Sequence, residues 1–278
     1  MFNNSKVIFE KKFKLSTTSY VVPDYIVENV KIIGSFFDEI EILVFESRQN
    51  VLPTKKEIKD LLKLSQDLNV GYNVHLPIDI SINSDNIRKR NQAQNTIEKI
   101  LELFAVLNPS THTLHLEMPL YNRKNDDTIK QWYNITHESL TSLQSRLVSL
   151  KKISFETLDY PFAFIEPFVS EFDLKICIDL GHQIKYGYDF QKIFTNNKSR
   201  TPIMHLHGVE KKNNLLKDHL SIDKLKKEVL EKIMIILNNY TGIVSIEVFN
   251  FENLQNSLKT LSQTFKEINP KKLKNDSC

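Results

Sequence analysis

The stretch "KICIDLGH", Lys175 to His182, decides how the rest of the chain is read. Ile176, Cys177 and Ile178 make a short apolar run suited to a buried strand, and it stops abruptly at an acid, a glycine and a histidine. Asp179 and His182 therefore stand where the strand gives way to a helix: two good metal ligands at the lip of an apolar strand. A single strand end of this kind proves little. Its weight depends on whether the other strands end alike.

Strand-like runs recur along the whole chain, at 12–19, 39–46, 71–77, 111–117, 152–158, 174–180, 201–208 and 242–249. Between them lie segments with helical spacing, such as Ile58, Leu61, Leu62, Leu64 and Leu68, and again Ile97, Ile100, Leu101, Phe104 and Leu107. Asp24 is expected to cap the first helix and Ser84 the third, with Gly71 closing the second after Asn69. Parallel neighbours need a crossover of about a dozen residues or more, and these gaps supply it. Eight strands alternating with helices predict an α/β fold, a (β/α)8 TIM barrel. No glycine-rich phosphate loop follows an early strand, which sets aside an open doubly wound sheet of the dinucleotide-binding kind. Residues 118–130, "MPLYNRKNDDTIK", read as a longer loop at the barrel mouth. Nothing resembling a linker divides the chain. One domain is expected over 1–278, with its core at about 12–268 and a solvated Lys-rich tail at 269–278.

Composition narrows the function classes. Of 278 residues, 41% are apolar and 26% charged, ordinary values for a globular protein, and a length near ~250 suits one such barrel. A formal net charge of +3 is too small to argue for a nucleic-acid partner. The two cysteines, Cys177 in a strand and Cys278 at the end, suggest no disulfide framework, and a reducing cytoplasm fits them. "MFNNSKVIFEKKFKLS" contains no continuous apolar stretch of the signal-peptide kind, and no segment approaches a membrane span. The expectation is a cytoplasmic protein with neither a membrane nor a nucleic acid as partner.

In such barrels chemistry lies at the C-terminal ends of the strands. Taken in order, the third run ends in His75, the fourth carries His115 and Glu117, and the fifth ends in Glu156. The sixth ends in Asp179 with His182 beyond, the seventh offers His205 and His207, and the eighth Glu247. Residues two apart share a strand face, so the expected inward set is Asn73, His75, Thr113, His115, Ser154, Glu156, Cys177, Asp179, His205, Ser245 and Glu247. His219 falls in the loop after the seventh run. Each residue alone has a blander reading: a lone His is hydrogen-bonded structure, a lone acid a helix cap, Asp179 a turn residue, Cys177 packing, His112 structural. Three carboxylates converging in a barrel mouth, with no inward Lys or Arg on these strands, would repel one another at a heavy desolvation cost. Divalent cations are the economical compensation. Mixed imidazole and carboxylate donors favour Zn2+, Mn2+ or Fe2+ over Mg2+ or Ca2+. The donors outnumber what one ion needs, and two ions ~3.5–4 Å apart suit phosphoester hydrolysis.

Glu156, Asp179, His205 and Glu247 together resemble the shared metal site of the xylose isomerase-like barrels, the AP endonuclease 2 superfamily, which includes sugar epimerases and the endonuclease IV group. His75 and His115 resemble the extra ligands that give the endonuclease-like branch its second metal, and His182 and His219 match positions of a third site there. That third site also uses an Asp two residues before the loop histidine; here the position is Lys217, with Asp218 displaced by one. A closer likeness, from about Thr17 to Glu247, is to the CbiR family of cobamide-remodelling phosphodiesterases, carried by "TTSYVVPDYIVENV", "EIEILVFES", "YNVHLPIDI", "LHLE", "FETLDYPF", "CIDLGH", "YGYD" and "MHLHGV…KDHLS". This resemblance implies a corrinoid substrate and hydrolysis of the phosphoester in its nucleotide loop, giving cobinamide phosphate and an α-riboside. His75, His115 and Glu156 would hold one ion; Asp179, His205 and Glu247 would hold another, with Glu156 bridging. His182 and His207 would orient a ligand or protonate the leaving group, and His219 would contact the phosphate or complete a site. Tyr20, Tyr160, Tyr186 and Tyr188 could wall a bulky corrinoid. The rivals are a one-metal sugar isomerase or epimerase, with Glu156 and Glu247 shuttling protons, an endonuclease IV-like repair enzyme, and a non-catalytic corrinoid binder.

Overall fold

The computed structural model describes residues 11–48, 51–147, 150–213 and 215–268. The expected tail at 269–278 lies outside the described residues. Eight parallel strands close into a barrel: β1 (Lys14–Thr18), β2 (Glu39–Leu43), β3 (Gly71–His75), β4 (His112–Leu114), β5 (Ile153–Glu156), β6 (Lys175–Asp179), β7 (Ile203–Leu206) and β10 (Ile243–Ile246), which pairs back onto β1. Each lies within one of the eight runs marked in the sequence. Around them run α1 (Ile26–Ile33), α2 (Lys55–Leu68), α3 (Ile87–Phe104), α4 (Asp126–Arg146), α5 (Glu166–Glu171), α6 (Leu180–Tyr186), α7 (Phe190–Asn197), α8 (Lys227–Leu237) and α9 (Phe251–Ile268). The segment after β7, expected as plain loop, instead forms an antiparallel hairpin of β8 (Gly208–Lys212) and β9 (Leu215–Leu220).

The helix ends correct three expectations. Asp24 does not cap α1: its carboxylate accepts only from the next residue's N–H, and Tyr25 holds the cap position without a side-chain bond. Asn86, not Ser84, caps α3 by accepting from the N–H groups of Arg88 and Lys89. Asn69 closes α2 in the left-handed conformation at φ 51°, while Gly71 is already the first residue of β3. The 118–130 stretch is loop only in its first half: a 3-10 turn spans Leu120–Arg123 and α4 begins at Asp126.

Strand alternation separates two interiors. Ile40, Ile42, Val74, Phe155, Ile176, Ile178, Met204, Leu206, Val244 and Ile246 belong to the large apolar core. The opposite face lines the barrel and is mostly polar: Ser16, Glu39, Glu41, Asn73, Thr113, Ser154, Glu156, Asp179, His205 and Ser245 are all buried. Beneath this polar layer Cys177, Ile203 and Ile243 form a small apolar floor of their own. Cys177 is thus a packing residue, and burial pushes its thiol pKa up. No helix among the described residues is long and apolar enough to cross a membrane.

Candidate metal centre

The side chains singled out at the strand ends do converge, and Glu156 sits at their middle. Its Oε2 lies 3.2 Å from His75 Nε2 and 3.0 Å from His115 Nε2; its Oε1 lies 3.4 Å from His182 Nδ1 and 3.6 Å from His205 Nδ1. Glu247 Oε2 is 3.1 Å from His205 Nδ1 and 3.8 Å from His219 Nδ1. One carboxylate therefore turns a separate oxygen to each of two donor sets. The first is His75, His115 and Glu156; the second is Glu156, Asp179, His205 and Glu247.

Asp179 does two jobs. As the N-cap of α6 its Oδ1 accepts from the His182 N–H at 2.7 Å, so it is a helix cap and not the plain turn residue of its blander reading. Its Oδ2 is buried and without a hydrogen-bond partner, 3.8 Å from His205 Nδ1. The ring of His75 is fixed by Nδ1–H donating to the Leu76 carbonyl at 2.8 Å, which leaves Nε2 facing the carboxylate. Besides Asp179 Oδ2, the buried atoms His182 Nδ1, His205 Nδ1, His207 Nε2 and Glu247 Oε2 also lack partners. Unpaired buried polar atoms are rare and costly, and four of these five point their lone pairs or charge at the space the donor sets share. The residues present fit one or two divalent cations.

Electrostatics agree with a site built for positive charge. Burial opposes ionisation of Glu156, yet His115 and His205 hold its carboxyl well below the usual carboxylate range. Burial likewise disfavours a charged His75, but Glu156, Glu41 and Glu247 raise its pKa to about 9. Against the same desolvation, Asp179 and Glu156 raise His182 to about 10. Without a cation, protons take that place.

His207 behaves differently from the other imidazoles. Its Nδ1 accepts from the His219 N–H at 3.0 Å, so in the neutral ring the proton sits on Nε2, 3.2 Å from Asp179 Oδ1. His207 is also fully buried and lines neither of the two recesses beside the centre. Its burial and its place beside Asp179 suit it to orienting that carboxylate, the first of the two roles expected for it. His182, His207 and His219 do lie close enough to share an ion, but that would require His207 to give up the Nε2 proton. Neither Lys217 nor Asp218 completes the group: Asp218 pairs with Lys185 at 2.6 Å, and Lys217 is exposed on β9.

Two acids on β2 went unread in the sequence. Glu41 reaches across the barrel, accepting from His205 Nε2 at 2.9 Å and from Ser245 Oγ at 2.6 Å. Glu39 lies deeper and meets the largely exposed Lys14 of β1 at 3.0 Å, away from the strand-end carboxylates. Their alternation in "EIEILVFE" was the available signal. Glu117 is exposed at the rim and outside both donor sets. Of the four tyrosines, Tyr186 lines a recess and Tyr20 packs edge-on against Phe45; Tyr188 is tied by its hydroxyl to the Asp159 carbonyl. Tyr160 is no wall. It is buried against Trp132, and its hydroxyl donates to the Leu116 carbonyl.

His112 is structural, as expected, with Nδ1 donating to the Lys152 carbonyl at 3.2 Å and burial lowering its pKa to about 4. A depressed histidine is neutral when folded but binds a proton when unfolded, so stability falls with pH between about 6.5 and 4. Urea unfolding at pH 7 and pH 5 should show a loss on the order of 2 kcal/mol from this group, absent in His112→Asn.

The model of the family described as "Xylose isomerase-like TIM barrel" matches residues 27–268. The chain belongs to that family. Within the xylose isomerase-like barrels its structure is similar to a D-tagatose 3-epimerase-like protein at 21% identity and a TM-score of 0.70, covering 94% of this chain and 100% of that one. Endonuclease IV from Thermus thermophilus aligns at 11% identity and 0.63, covering 92% and 99%. The IOLI protein, solved with a binding zinc atom, aligns at 15% and 0.65, covering 92% and 96%. At these identities the likeness is one of fold. Comparison with curated protein sequences gives no match.

Proposed function

We propose that this barrel is a metal-dependent phosphodiesterase that hydrolyses the nucleotide-loop phosphoester of cobamides. The observation that carries a two-cation hydrolase is Glu156, whose two oxygens each face a different imidazole set. The choice of cobamide rests on the sequence resemblance to the CbiR family. Zn2+ suits the mixed His and carboxylate donors, with Mn2+ or Fe2+ as alternatives. Cations held here supply Lewis acidity to the phosphoryl and leaving oxygens and acidify the attacking water.

The chain's own residues do the rest. A water oxygen bonds to phosphorus, the bond from phosphorus to the ribose oxygen breaks, and the phosphate stays on the cobinamide. The ribose oxygen leaves as a hydroxyl and needs a proton. In this reading His182 delivers it, which its partial exposure and its position lining the recesses on both sides of the centre support. Glu156 and Glu247 hold the cluster's negative charge, His207 holds Asp179, and Glu41 fixes the tautomer of His205 so that Nδ1 faces the centre.

The test is to incubate zinc-loaded protein with adenosylcobalamin and with its adenine analogue and identify products by mass. Cobinamide phosphate and the free α-riboside are expected; unchanged substrate with Zn2+, Mn2+ and Fe2+ in turn overturns the reading. His75→Ala separates it from the one-metal isomerase reading, in which His75 and His115 have no task. Hydrolysis should fall by about 10²-fold or more, whereas an isomerase would keep its rate. Glu41→Ala should weaken zinc binding by about 10–100-fold in chelator competition, and Glu41→Gln, which can still accept from His205, by less.

A further inference from the structure

Two recesses open from the centre, one on each side, and they differ in size and chemistry. His115 and His182 line both and form the partition. On one side a slot of about 230 Å3 has hydrocarbon walls from Leu43, Val44, Phe45, Ile78 and Phe249, and its floor is the donor cluster itself. On the other a wider recess of about 420 Å3 runs along the Met118–Arg123 loop to Asp159 and Tyr186.

Phe45 and Ile78 are 40% and 50% exposed at the rim of the slot, apolar surface left facing water beside a polar centre. Phe45 is held edge-on by Tyr20 at 5.1 Å and stands 6.3 Å from Phe249, so the aromatic rim is braced. Phe249 in turn packs 4.9 Å from the His219 ring, which joins the slot to the centre. Among the described residues no charged side chain lines the walls, apart from the donors on the floor. The occupant is therefore uncharged and apolar where it meets the walls. The slot is also smaller than the ~300–1,000 Å3 of a drug-sized pocket, so it takes a group and not a whole macrocycle.

We propose that the slot between Phe45, Ile78 and Phe249 is the subsite for the planar heteroaromatic base of the substrate, and that the bulky corrin side of the phosphoester lies in the wider recess. This rests on the phosphodiesterase reading and adds to it an orientation: base over the β2 and β10 strand ends, macrocycle over the 118–123 loop. Stacking against aromatic side chains tolerates different bases, because every base has a π-face. Selectivity among lower bases is accordingly set by ring size in the slot.

The experiment measures binding and turnover separately on zinc-loaded wild type, Phe249→Ala, Phe249→Leu and Ile78→Ala, with metal content checked by elemental analysis. Calorimetry with the free α-riboside of the benzimidazole base needs no turnover. Its affinity should drop on the order of 10-fold in Phe249→Ala and Ile78→Ala and recover in part in Phe249→Leu, while that of cobinamide phosphate stays the same. Loss of cobinamide phosphate binding instead, or no change in riboside binding, overturns the assignment. If no cobamide is cleaved but riboside binding follows this pattern, the subsite stands and the hydrolase reading falls.

Discussion

The Glu156→Gln variant loses cation binding at both halves of the centre and on the order of 10³-fold in phosphoester turnover. Its effect exceeds that of any single histidine because the wild-type oxygens are shared. Oε2 faces His75 and His115, and Oε1 faces His182 and His205. Glutamine keeps the shape but removes the charge and turns one of the two acceptors into a donor, aimed at whichever imidazole set it faces. Glu247→Gln is the control, since Glu247 Oε2 lies nearest His205 and His219 and Glu247 is not a member of the His75–His115–Glu156 set. Melting temperature with and without Zn2+ reads this directly, because a ligand that binds only the folded state raises it. The metal-dependent rise should vanish in Glu156→Gln and persist, reduced, in Glu247→Gln. Two retained equivalents of zinc in Glu156→Gln would show that the carboxylate is not shared.

How much of this was legible beforehand follows from what each residue's signal depends on. All eight barrel strands could be read because each is an apolar run with punctuation, and inward polar residues alternate with outward apolar ones. The strand-end donors followed from that register. Glu41 was missed although its alternation with Ile40 and Ile42 is plain, because its partner His205 lies 164 residues away and closure of the barrel brings them together. The β8–β9 hairpin was missed because most of its residues are exposed on both faces, so "VEKKNNLLKDHL" carries no buried stripe. Ser84 and Asn86 are both good caps two residues apart, and residue type alone does not choose between them. Phe45 and Phe249 fall within the last two residues of strand-like runs and were given no role. Each falls beyond the last paired residue of its strand, where the side chain is free to line the mouth.

Gly181→Ala should unfold more easily than wild type by about 1–3 kcal/mol and bind zinc more weakly, although its position inside α6 favours alanine. Helix propensity alone predicts the opposite sign, a gain of ~1 kcal/mol. Packing decides against it: a Cβ at Gly181 would lie 2.0 Å from His207 Cε1 and 2.3 Å from Nδ1. That ring has nowhere to go. It is fully buried, stacked on His219 at 4.2 Å between centroids and held at Nδ1 by the His219 N–H, with Nε2 3.2 Å from Asp179 Oδ1. Moving it strips Asp179 Oδ1 of its imidazole and the His219 N–H of its acceptor, so strain at one glycine reaches two of the centre's donors. The double variant Gly181→Ala/His207→Ala restores the space, and a double-mutant cycle in urea should show a favourable coupling of about 1 kcal/mol or more, on the order seen for residues in direct contact. Should Gly181→Ala prove as stable as wild type, the ring would not be packed against it. The glycine between Asp179 and His182 would then have no structural reason to be there.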